Sequence, residues 1–337
     1  MEIFKNYSLR NHNTFGVNAI ASTAMVINSE SDLIKGLKSA EHENLITIGE
    51  GSNILFVSEY VDKLVILNKI NGIKILHRND DDIQIEAGAG VMWDDLVRFC
   101  VKNNFGGIEN LSMIPGTVGA APVQNIGAYG QELKDHFESL TAIEISNHNQ
   151  VILNQSECNF GYRDSIFKKE LKDKVVITSV RLRLKIRPKL NIFYGTIAKE
   201  LESLKISSPG IEDVSRIIRK IRTEKLPDPN IYSNAGSFFK NPVITKIEYD
   251  ELKREFQDIV GYPENENHFK IPAAYLIEKC GLKGLKHGNV GTYPTQPLVV
   301  VNYGNATGKE IFEFAQFIKQ KVFETFHIQL QEEVNLL

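Results

Sequence analysis

An uncharged, glycine-rich segment is the first feature of the sequence that could do chemistry. Leu111–Gly130, LSMIPGTVGAAPVQNIGAYG, contains four glycines, two prolines and no charged residue. Because 24% of the chain is charged, a segment of this length should carry about five charges. A buried irregular loop needs hydrogen-bond partners, and glycines let a ligand approach closely enough to supply them. Turn N–H groups form a nest for an anion. We therefore expect a diphosphate-like ligand here rather than a tight structural loop, with Gly49–Asn53 as a weaker loop of the same kind.

Two other glycine motifs do not qualify as nucleotide-binding signatures. Gly88-Ala89-Gly90 follows a strand pattern and precedes a helix pattern, but Trp93 stands where the third glycine of a dinucleotide fingerprint belongs. The segment Gly304–Glu310 is shorter than a P-loop and has Glu310 where Ser or Thr should hold magnesium. The sequence excludes both motifs.

Three polar residues elsewhere could act on a substrate, although each has an ordinary alternative. Arg163 follows Tyr162, and a guanidinium suits planar recognition of a carboxylate, but an Arg beside an Asp is usually a surface ion pair. Ser237 lies in NAGSFFKNP, where its hydroxyl could donate a proton or merely cap a turn. Glu333 lies in the terminal acidic pair, and terminal acids are normally solvated.

Composition excludes several classes of function. With 337 residues the chain needs two or three packed units, and a net charge of −3 provides no global field for nucleic acid. Cys100, Cys158 and Cys280 form no CxxC pair, which suits a reducing cytosol. We expect no metal site, since His and Cys residues do not cluster, and no signal peptide or membrane span.

Strand and helix patterns alternate without an internal repeat, which predicts an α+β protein. The turn-forming segment Ser207-Ser208-Pro209-Gly210 predicts a domain boundary near residue 207. Predicted helices cover Ser31–Glu43, Met92–Asn103, Ile197–Leu204, Glu212–Lys225, Ala273–Cys280 and Lys309–Phe326. Predicted strands cover Leu45–Ile48, Val65–Leu67, Asp82–Ala87, Val175–Ile186, Leu298–Asn302 and Ile328–Val334.

The motifs, taken in order along the chain, resemble one family, the UDP-N-acetylenolpyruvoylglucosamine reductases of bacterial cell-wall synthesis. The blocks that carry the resemblance are NTFG from Asn13, GEGSNILF from Gly49, AGAGVMWDDL from Ala87, IPGTVGAAPVQNIGAYG from Ile114, YRDSIFK from Tyr162, LPDP from Leu226, NAGSFFKNP from Asn234 and the terminal LQEEV. Chance agreement of so many ordered blocks is negligible.

The resemblance implies a fold similar to that of vanillyl-alcohol-oxidase-type flavoproteins. It implies an FAD-binding domain at residues 1–206, with lobes at about 1–70 and 71–206, and a substrate-binding domain at 207–337 whose last residues return to the active site. It also implies non-covalently bound FAD, which NADPH reduces. UDP-N-acetylglucosamine enolpyruvate then receives the hydride and a proton, giving UDP-N-acetylmuramate. We expect a cytoplasmic monomer with no nucleic-acid or membrane partner.

The family's site residues transfer to this sequence position by position. The resemblance assigns Arg163 and Glu333 to the substrate carboxylate and Ser237 to proton donation, and a protonated Glu333 implies a raised pKa for that group. The implied FAD contacts are Gly49, Gly51, Ser52, Asn53, Ser112, Pro115, Gly116, Thr117, Gly119, Asn125, Gly127, Tyr129 and Ile177. The implied substrate contacts are Tyr129, Tyr194, Lys225, Asn241, Tyr262 and Gln296, with Lys225 as the diphosphate cation and Tyr194 marking the subclass with an extra loop.

One residue departs from the family pattern, because Asn335 stands where many members have Arg. Two other functions remain alternatives. An FAD oxidase of the same fold would not need NAGSFFKNP. A non-catalytic flavoprotein that binds nucleotide sugars would keep the glycine loop without needing Arg163, Ser237 and Glu333.

Overall fold

The computed structural model describes residues 1–39 and 44–337, and the described chain divides into two compact units. The first unit contains Met1–Tyr7, Ala21–Gly51 and Asp62–Glu224. The second contains Ser8–Ile20, Ser52–Val61 and Lys225–Leu337. Both units are therefore built from segments that are distant in sequence. These units are defined by contacts and not by function, so the predicted boundary near residue 207 between an FAD-binding and a substrate-binding domain stays a prediction.

Strands and helices alternate along the chain, in agreement with the predicted α+β class. The strands are β1 (Glu2–Ser8), β2 (Ile20–Ile27), β3 (Leu45–Ile48), β4 (Ile54–Leu55), β5 (Tyr60–Asn68), β6 (Ile73–Arg78), β7 (Asp82–Gly88), β8 (Gly127–Ala128), β9 (Gln131–Glu132), β10 (Phe137–Glu144), β11 (Gln150–Asn154), β12 (Val175–Lys185), β13 (Ser233–Ser237), β14 (Val243–Thr245), β15 (Tyr262–Asn265), β16 (His268–Lys270), β17 (Lys286–His287), β18 (Val290–Tyr293), β19 (Gln296–Asn302) and β20 (Asn335–Leu336). The helices are α1 (Glu30–Ser39), α2 (Trp93–Lys102), α3 (Gly195–Ser203), α4 (Ile211–Lys225), α5 (Lys246–Glu255), α6 (Ala273–Lys279) and α7 (Gly308–Phe326).

The first unit contains two sheets. One has the strand order β1-β2-β5-β3, in which β3 and β5 are parallel. The other has the order β11-β10-β12-β7-β6 and is antiparallel. Ile66 of the first sheet and Val176 of the second belong to one buried apolar cluster with Leu33 and Leu37 of α1. The two sheets therefore share a hydrophobic core.

Helix α2 shows how local periodicity determines an element. Trp93, Leu96, Val97 and Cys100 are all buried on its inner face, as the spacing predicts for an amphipathic helix. The predicted helices that end at residues 204, 225, 280 and 326 are also present, with ends shifted by one or two residues. The predicted first helix is confirmed as far as Ser39, and its last four positions lie outside the described residues.

The segment Leu111–Gly130 is irregular and mostly buried, as predicted. Short 3₁₀ turns cover Glu109–Leu111, Val118–Ala120 and Pro122–Gln124. Pro115 is among the few exposed positions in the segment. The loop therefore lies against the rest of its unit along most of its length.

The second unit is organised around the antiparallel sheet β13-β19-β18-β17. A smaller sheet has the order β14-β16-β15. Val299 of β19, Ile318 of α7 and Phe238 are fully buried, so this unit also has an apolar core. The short strand β20 pairs in parallel with β4, which brings the residues after Glu333 beside those after Asn53.

Two features of the second unit differ from the sequence-based expectation. The predicted strand Ile328–Val334 was wrong, since its backbone forms only an isolated bridge, between Glu332 and Phe239. Helix α5 was not predicted. This helix has no buried residue, so its sequence lacks a clear apolar periodicity. A capping box between Thr245 and Glu248 marks its start.

Among the described residues, no helix combines the length and the apolar character that crossing a membrane requires.

Candidate functional site

The turn at Gly49–Gly51 lies directly against the glycine-rich loop. A Cβ atom on Gly49 would come within 2.2 Å of the Thr117 hydroxyl oxygen, so only glycine allows this approach. The Gly116 N–H donates to a carboxylate oxygen of Glu50 at 2.8 Å, and Gly116 has a φ of +107°. The carboxylate stands where an anionic oxygen of a ligand could also be held. One N–H group of the loop is therefore bound to an anionic oxygen, and the FAD contacts of the loop stay a prediction.

The excluded motif Gly88-Ala89-Gly90 has a packing role. The Gly119 N–H donates to the Ala89 carbonyl at 2.9 Å, and a Cβ atom on Gly119 would lie 2.5 Å from the Ala89 Cβ. A Cβ on Gly90 would lie 2.6 Å from the backbone of Lys69. These glycines allow β7, the following turn and the loop to pack closely.

The second half of the loop is fixed by the Asn125 side chain. Its amide nitrogen donates to Glu132 at 2.9 Å and to the Gly161 carbonyl at 3.0 Å, and its oxygen accepts the Lys134 N–H at 3.0 Å. Asn125 itself has a left-handed φ of +44°. The predicted FAD contact Asn125 therefore orders the loop through its side chain.

Arg163 lies at the tip of a tight turn in the first unit. The backbones of Gly161 and Asp164 form a bridge around it, and Arg163 has an unusual positive φ of +54°. Its guanidinium donates to the Gly127 carbonyl at 2.6 Å and lies 5.6 Å from the centre of the Tyr162 ring. The neighbouring Asp164 carboxylate pairs with Lys169. Arg163 is thus connected to the glycine-rich loop.

Tyr129 and Tyr194 pack edge to face, with ring centres 5.5 Å apart and planes at 80°. Tyr129 has a φ of +50°, and its carbonyl accepts a hydrogen bond from Asn110 at 3.0 Å. The same Asn110 amide donates to the Asn191 carbonyl at 2.9 Å. One buried amide therefore joins the end of the glycine-rich loop to the insert that carries Tyr194.

Arg222 is a further candidate residue that sequence reasoning missed. Its guanidinium donates to the Met113 carbonyl at 3.2 Å and interacts with the Tyr129 hydroxyl. Burial lowers the pKa of Arg222, although Tyr129 and Asp94 oppose this effect. Burial raises the pKa of Tyr129, and Arg222 opposes that shift. The positive charge of Arg163 also lowers the pKa of Arg222. Two cations therefore lie in this part of the first unit, where they favour an anionic group.

The remaining predicted FAD contacts of the first unit have structural partners of their own. The Ser112 hydroxyl is buried and donates to the Glu109 carbonyl at 2.7 Å. The Ile177 carbonyl accepts the Asn68 amide at 2.9 Å. Any contact of these two residues with a ligand would therefore use other atoms, such as the Ser112 backbone.

Ser237 ends β13 after a bulge. The register between β13 and β19 shifts between Asn234 and Ser237, and Ser237 pairs with Val299. Gly236 has a φ of +70°, and its N–H donates to the Asn234 side chain at 2.9 Å. A bulge of this kind changes the direction of the side chain that follows it.

Glu333 lies beside the Ser237 segment through its backbone. The Glu333 N–H donates to the Phe238 carbonyl at 2.8 Å. The Asn53 side chain donates to the Glu333 carbonyl at 3.1 Å, and Asn335 donates through its backbone and its side chain to the Asn53 carbonyl, both at 3.0 Å. The divergent Asn335 is therefore part of the pairing between β20 and β4.

The predicted substrate contacts of the second unit lie on or beside its strands and helices. The Thr295 hydroxyl donates to the Lys225 carbonyl at 2.8 Å, which brings Lys225 near Gln296. The Asn241 side-chain oxygen accepts the Ala273 N–H at 2.9 Å and so holds the first turn of α6. Tyr262 is exposed at the start of β15. Lys225 and Gln296 are thus brought together, and Tyr262 lies in the small sheet β14-β16-β15, whose strand β14 begins two residues after Asn241.

The predicted site residues are divided between the two units. The first unit contains the predicted FAD contacts on the glycine-rich loop, together with Gly49, Gly51, Arg163, Ile177, Tyr129 and Tyr194. The second unit contains the other predicted site residues, which are Ser237, Glu333, Ser52, Asn53, Lys225, Asn241, Tyr262 and Gln296.

Comparison with known proteins gives matches along the whole chain. A family description of an FAD binding domain matches residues 22–149, and one of the UDP-N-acetylenolpyruvoylglucosamine reductase C-terminal domain matches residues 228–337. The chain is 45% identical to the UDP-N-acetylenolpyruvoylglucosamine reductase of Flavobacterium johnsoniae, with all of both chains covered. It is 43% identical to that of Pseudomonas aeruginosa, covering 100% of this chain and 99% of the relative.

A solved structure agrees with the fold. UDP-N-acetylenolpyruvylglucosamine reductase from Thermus caldophilus matches with a TM-score of 0.67 at 24% identity, covering 99% of this chain and 98% of that one. At this identity the likeness concerns the fold alone, and together with the matched families it confirms the predicted flavoprotein class. The full-length relatives settle the relationship: the chain belongs to the UDP-N-acetylenolpyruvoylglucosamine reductase family.

Proposed function

We propose that the protein reduces UDP-N-acetylglucosamine enolpyruvate to UDP-N-acetylmuramate with NADPH as the hydride donor, in the synthesis of peptidoglycan precursors. The observation that carries this proposal is the full-length likeness to reductases of this name, at 45% identity to one of them. FAD, when bound, supplies the hydride relay between NADPH and the enolpyruvyl group. The protein's own residues must hold both ligands, stabilise the developing charge and deliver a proton.

The glycine-rich loop fits FAD without a formal positive charge of its own. The Gly116 N–H already holds an anionic oxygen, that of Glu50, and the missing Cβ of Gly49 lets its turn pack directly against Thr117. Backbone N–H groups of such turns can hold the oxygens of a diphosphate. The residues that would hold FAD are Gly49, Gly51, Ser52, Asn53, Ser112, Pro115, Gly116, Thr117, Gly119, Asn125, Gly127, Tyr129 and Ile177.

Arg163 is proposed to bind the enolpyruvyl carboxylate. Reduction places negative charge on the carbon next to that carboxylate, and a preorganised cation lowers the free energy of such a charge. Arg222 adds to the positive potential around Arg163. The first unit thus offers cations to the substrate although the whole chain is slightly acidic.

Ser237 is proposed as the proton donor and Glu333 as a second group at the carboxylate. A hydroxyl is a weak acid, so it can protonate only a strongly basic carbanion at short range. The bulge at Gly236 and the bond from the Glu333 N–H to the Phe238 carbonyl give both residues a fixed backbone. Glu333 should be protonated in the working enzyme, which requires a raised pKa of its carboxyl group. This raised pKa stays a prediction.

The nucleotide part of the substrate is proposed to meet Tyr194, Lys225, Asn241, Tyr262 and Gln296, with Tyr129 at the wall of the site. Lys225 is exposed at the end of α4, where its ammonium group is available to a diphosphate. Action as a monomer in the cytoplasm is also a prediction from the sequence.

Stopped-flow measurement of the two half-reactions tests the proposal. We expect Ser237→Ala to keep NADPH-dependent bleaching of the flavin and to lose at least about a hundredfold in reoxidation by the enolpyruvyl substrate, the lower end of the range for proton-transfer catalysis. Ser233→Ala, in the same strand, is the matched control and should leave both steps unchanged.

Other outcomes select the alternatives. If NADPH does not bleach the flavin of the wild type, or if oxygen but not the enolpyruvyl substrate reoxidises it, the reductase function is wrong. If Ser237→Ala slows both half-reactions equally, Ser237 is not the proton donor. Glu333→Gln should retain more activity than Glu333→Ala, because only the amide preserves a hydrogen bond.

A further inference from the structure

Helix α4 carries a polar stripe that sequence reasoning did not connect with the glycine-rich loop. Ser215, Arg219 and Arg222 are spaced at i, i+4 and i+7, so they share one side of the helix. The neighbouring side is apolar, with Val214, Ile218 and other residues buried in a core cluster. A polar stripe beside a buried face needs partners. Two of these partners, Ser112 and Met113, lie at the start of the loop, and the third, Asp94, lies on α2.

Each residue of the stripe contacts the loop or its immediate support. The Ser215 and Ser112 hydroxyls form a buried hydrogen bond of 2.8 Å. Arg219 makes two parallel bonds to the Asp94 carboxylate, at 2.9 and 2.6 Å. Arg222 donates to the Met113 carbonyl at 3.2 Å. Helix α4 therefore contacts two consecutive loop residues, Ser112 and Met113, directly, and it contacts Met113 a second time through Asp94.

Met113 is held from both ends of its peptide unit. The Asp94 carboxylate accepts the Met113 N–H at 2.7 Å, while Arg222 binds the Met113 carbonyl. Met113 has a left-handed φ of +60°, which is unfavourable for a residue with a Cβ. Such a conformation persists only where the surroundings determine it strongly. The charged groups around Met113 supply that determination.

The charges on this support are themselves well satisfied. Burial raises the pKa of Asp94, but hydrogen bonds from Arg219, Met113 and Arg98 more than offset this, so the pKa lies below its ordinary value. The Asp94 carboxylate is thus ionised at neutral pH and accepts bonds from two helices and the loop. Bidentate Arg–carboxylate pairs are among the strongest and most directional ion pairs in proteins.

We propose that Ser215, Arg219 and Arg222, with Asp94, form a brace that sets the left-handed turn at Met113 and thereby positions the following Pro115–Thr117 segment for FAD. The four residues are positioning residues for the cofactor. The brace explains how an uncharged loop keeps a strained conformation: the charges that fix it lie on α2 and α4. The inference rests on the proposed function only for the presence of FAD.

Titration of flavin-free protein with FAD, followed by quenching of flavin fluorescence, tests the brace. We expect Arg219→Gln to weaken FAD binding about tenfold or more, since it removes both charge-assisted bonds to Asp94. Arg216→Gln is the matched control, because Arg216 lies on the same helix and pairs with Asp213 at the exposed surface. It should bind FAD like the wild type.

A double substitution separates positioning from general stability. Met113→Gly removes the cost of the left-handed φ, so Arg219→Gln should cost clearly less in that background than in the wild type. If Arg219→Gln lowers the melting temperature but leaves FAD affinity unchanged, or if its cost is the same with Met113 and Gly at position 113, the brace is wrong.

Two further measurements keep the test decisive. If Arg219→Gln does not fold, Ser215→Ala replaces it and should weaken FAD binding about threefold, the effect of one neutral hydrogen bond. Unchanged affinity in that variant would overturn the proposal. If the wild type itself binds no FAD, the proposed function fails, whereas wild-type binding with equal binding by all variants contradicts only the brace.

Discussion

The glycine-rich loop of the first unit and the Ser237–Glu333 region of the second are fixed in opposite ways. Leu111–Gly130 has no charged residue, yet charged side chains from outside hold it: Glu50 binds the Gly116 N–H, Asp94 the Met113 N–H and Arg163 the Gly127 carbonyl. In the second unit, Ser237 and Glu333 are fixed by backbone bonds, such as those from Glu333 to Phe238 and from Lys240 to Gln331.

The difference follows from what each region is proposed to hold. A loop that presents its own N–H groups to a diphosphate cannot use them all in backbone pairing, so side chains must fix part of its conformation. Residues that act through their side chains can sit on paired backbone segments, as Ser237 and Glu333 do. Three predictions test this contrast.

The largest effect is expected from crowding the loop. Gly119→Ala would place a methyl group 2.5 Å from the Ala89 Cβ and 3.1 Å from the Ala89 backbone, which cannot move freely. Overpacking of this kind costs about 1–3 kcal/mol, so FAD affinity should fall roughly tenfold to a hundredfold. Titration with FAD measures this. Gly195→Ala is the control, since no atom of the described residues lies within 4 Å of a Cβ there. Equal FAD affinity in the two variants would show that the loop is not tightly packed.

A smaller and different effect is expected at the bulge before Ser237. Gly236 has a φ of +70° but open space around its Cβ position, so Gly236→Ala adds only backbone strain, about 1–2 kcal/mol. We expect unchanged FAD affinity and flavin reduction, with the enolpyruvyl half-reaction about tenfold slower. Gly236→Asn should recover part of that loss, because Asn tolerates left-handed φ. Stopped-flow kinetics measure both steps, and a loss of FAD from Gly236→Ala would contradict the contrast.

The smallest effect is expected from acid. The pKa of Asp94 lies below its ordinary value, because the bonds from Arg219, Met113 and Arg98 outweigh burial, which alone would raise it. A lowered pKa in the folded state adds stability above the ordinary pKa, and this stability is lost as the pH falls through the lower one. FAD affinity should therefore be constant from pH 7 to 5 and decline below about pH 4.

The control for the acid experiment is Asp94→Asn, which should bind FAD more weakly at pH 7 and show a flatter decline between pH 5 and 3. Circular dichroism over the same range separates release of FAD from unfolding. An identical pH profile in both proteins would show that Asp94 does not anchor the loop.

Local features were predictable from the sequence. Helix α2 follows from the spacing of its apolar residues, and the irregular loop follows from its lack of charge and its turn formers. The brace was not predictable, because Ser112, Met113 and Asp94 lie between 103 and 125 residues from their partners on α4. Nothing in a single sequence indicates which Asp an Arg on a helix will meet. The strand predicted at Ile328–Val334 failed for a related reason: its alternation satisfied a local pattern, but only Glu332 found a bridge partner.

The second unit combines two N-terminal segments with the C-terminal part of the chain, which affects how the chain folds during synthesis. Phe15 and Phe56 are buried in that unit, with the Phe15 carbonyl accepting a bond from Asn302 and Gly308 lying close against the Phe56 carbonyl. These N-terminal pieces emerge from the ribosome long before their partners. Until Asn302 and Gly308 have been made, Phe15 and Phe56 lack these contacts. Residues 225–337 expressed alone would likewise lack part of their own core, so this half of the protein is not a portable module.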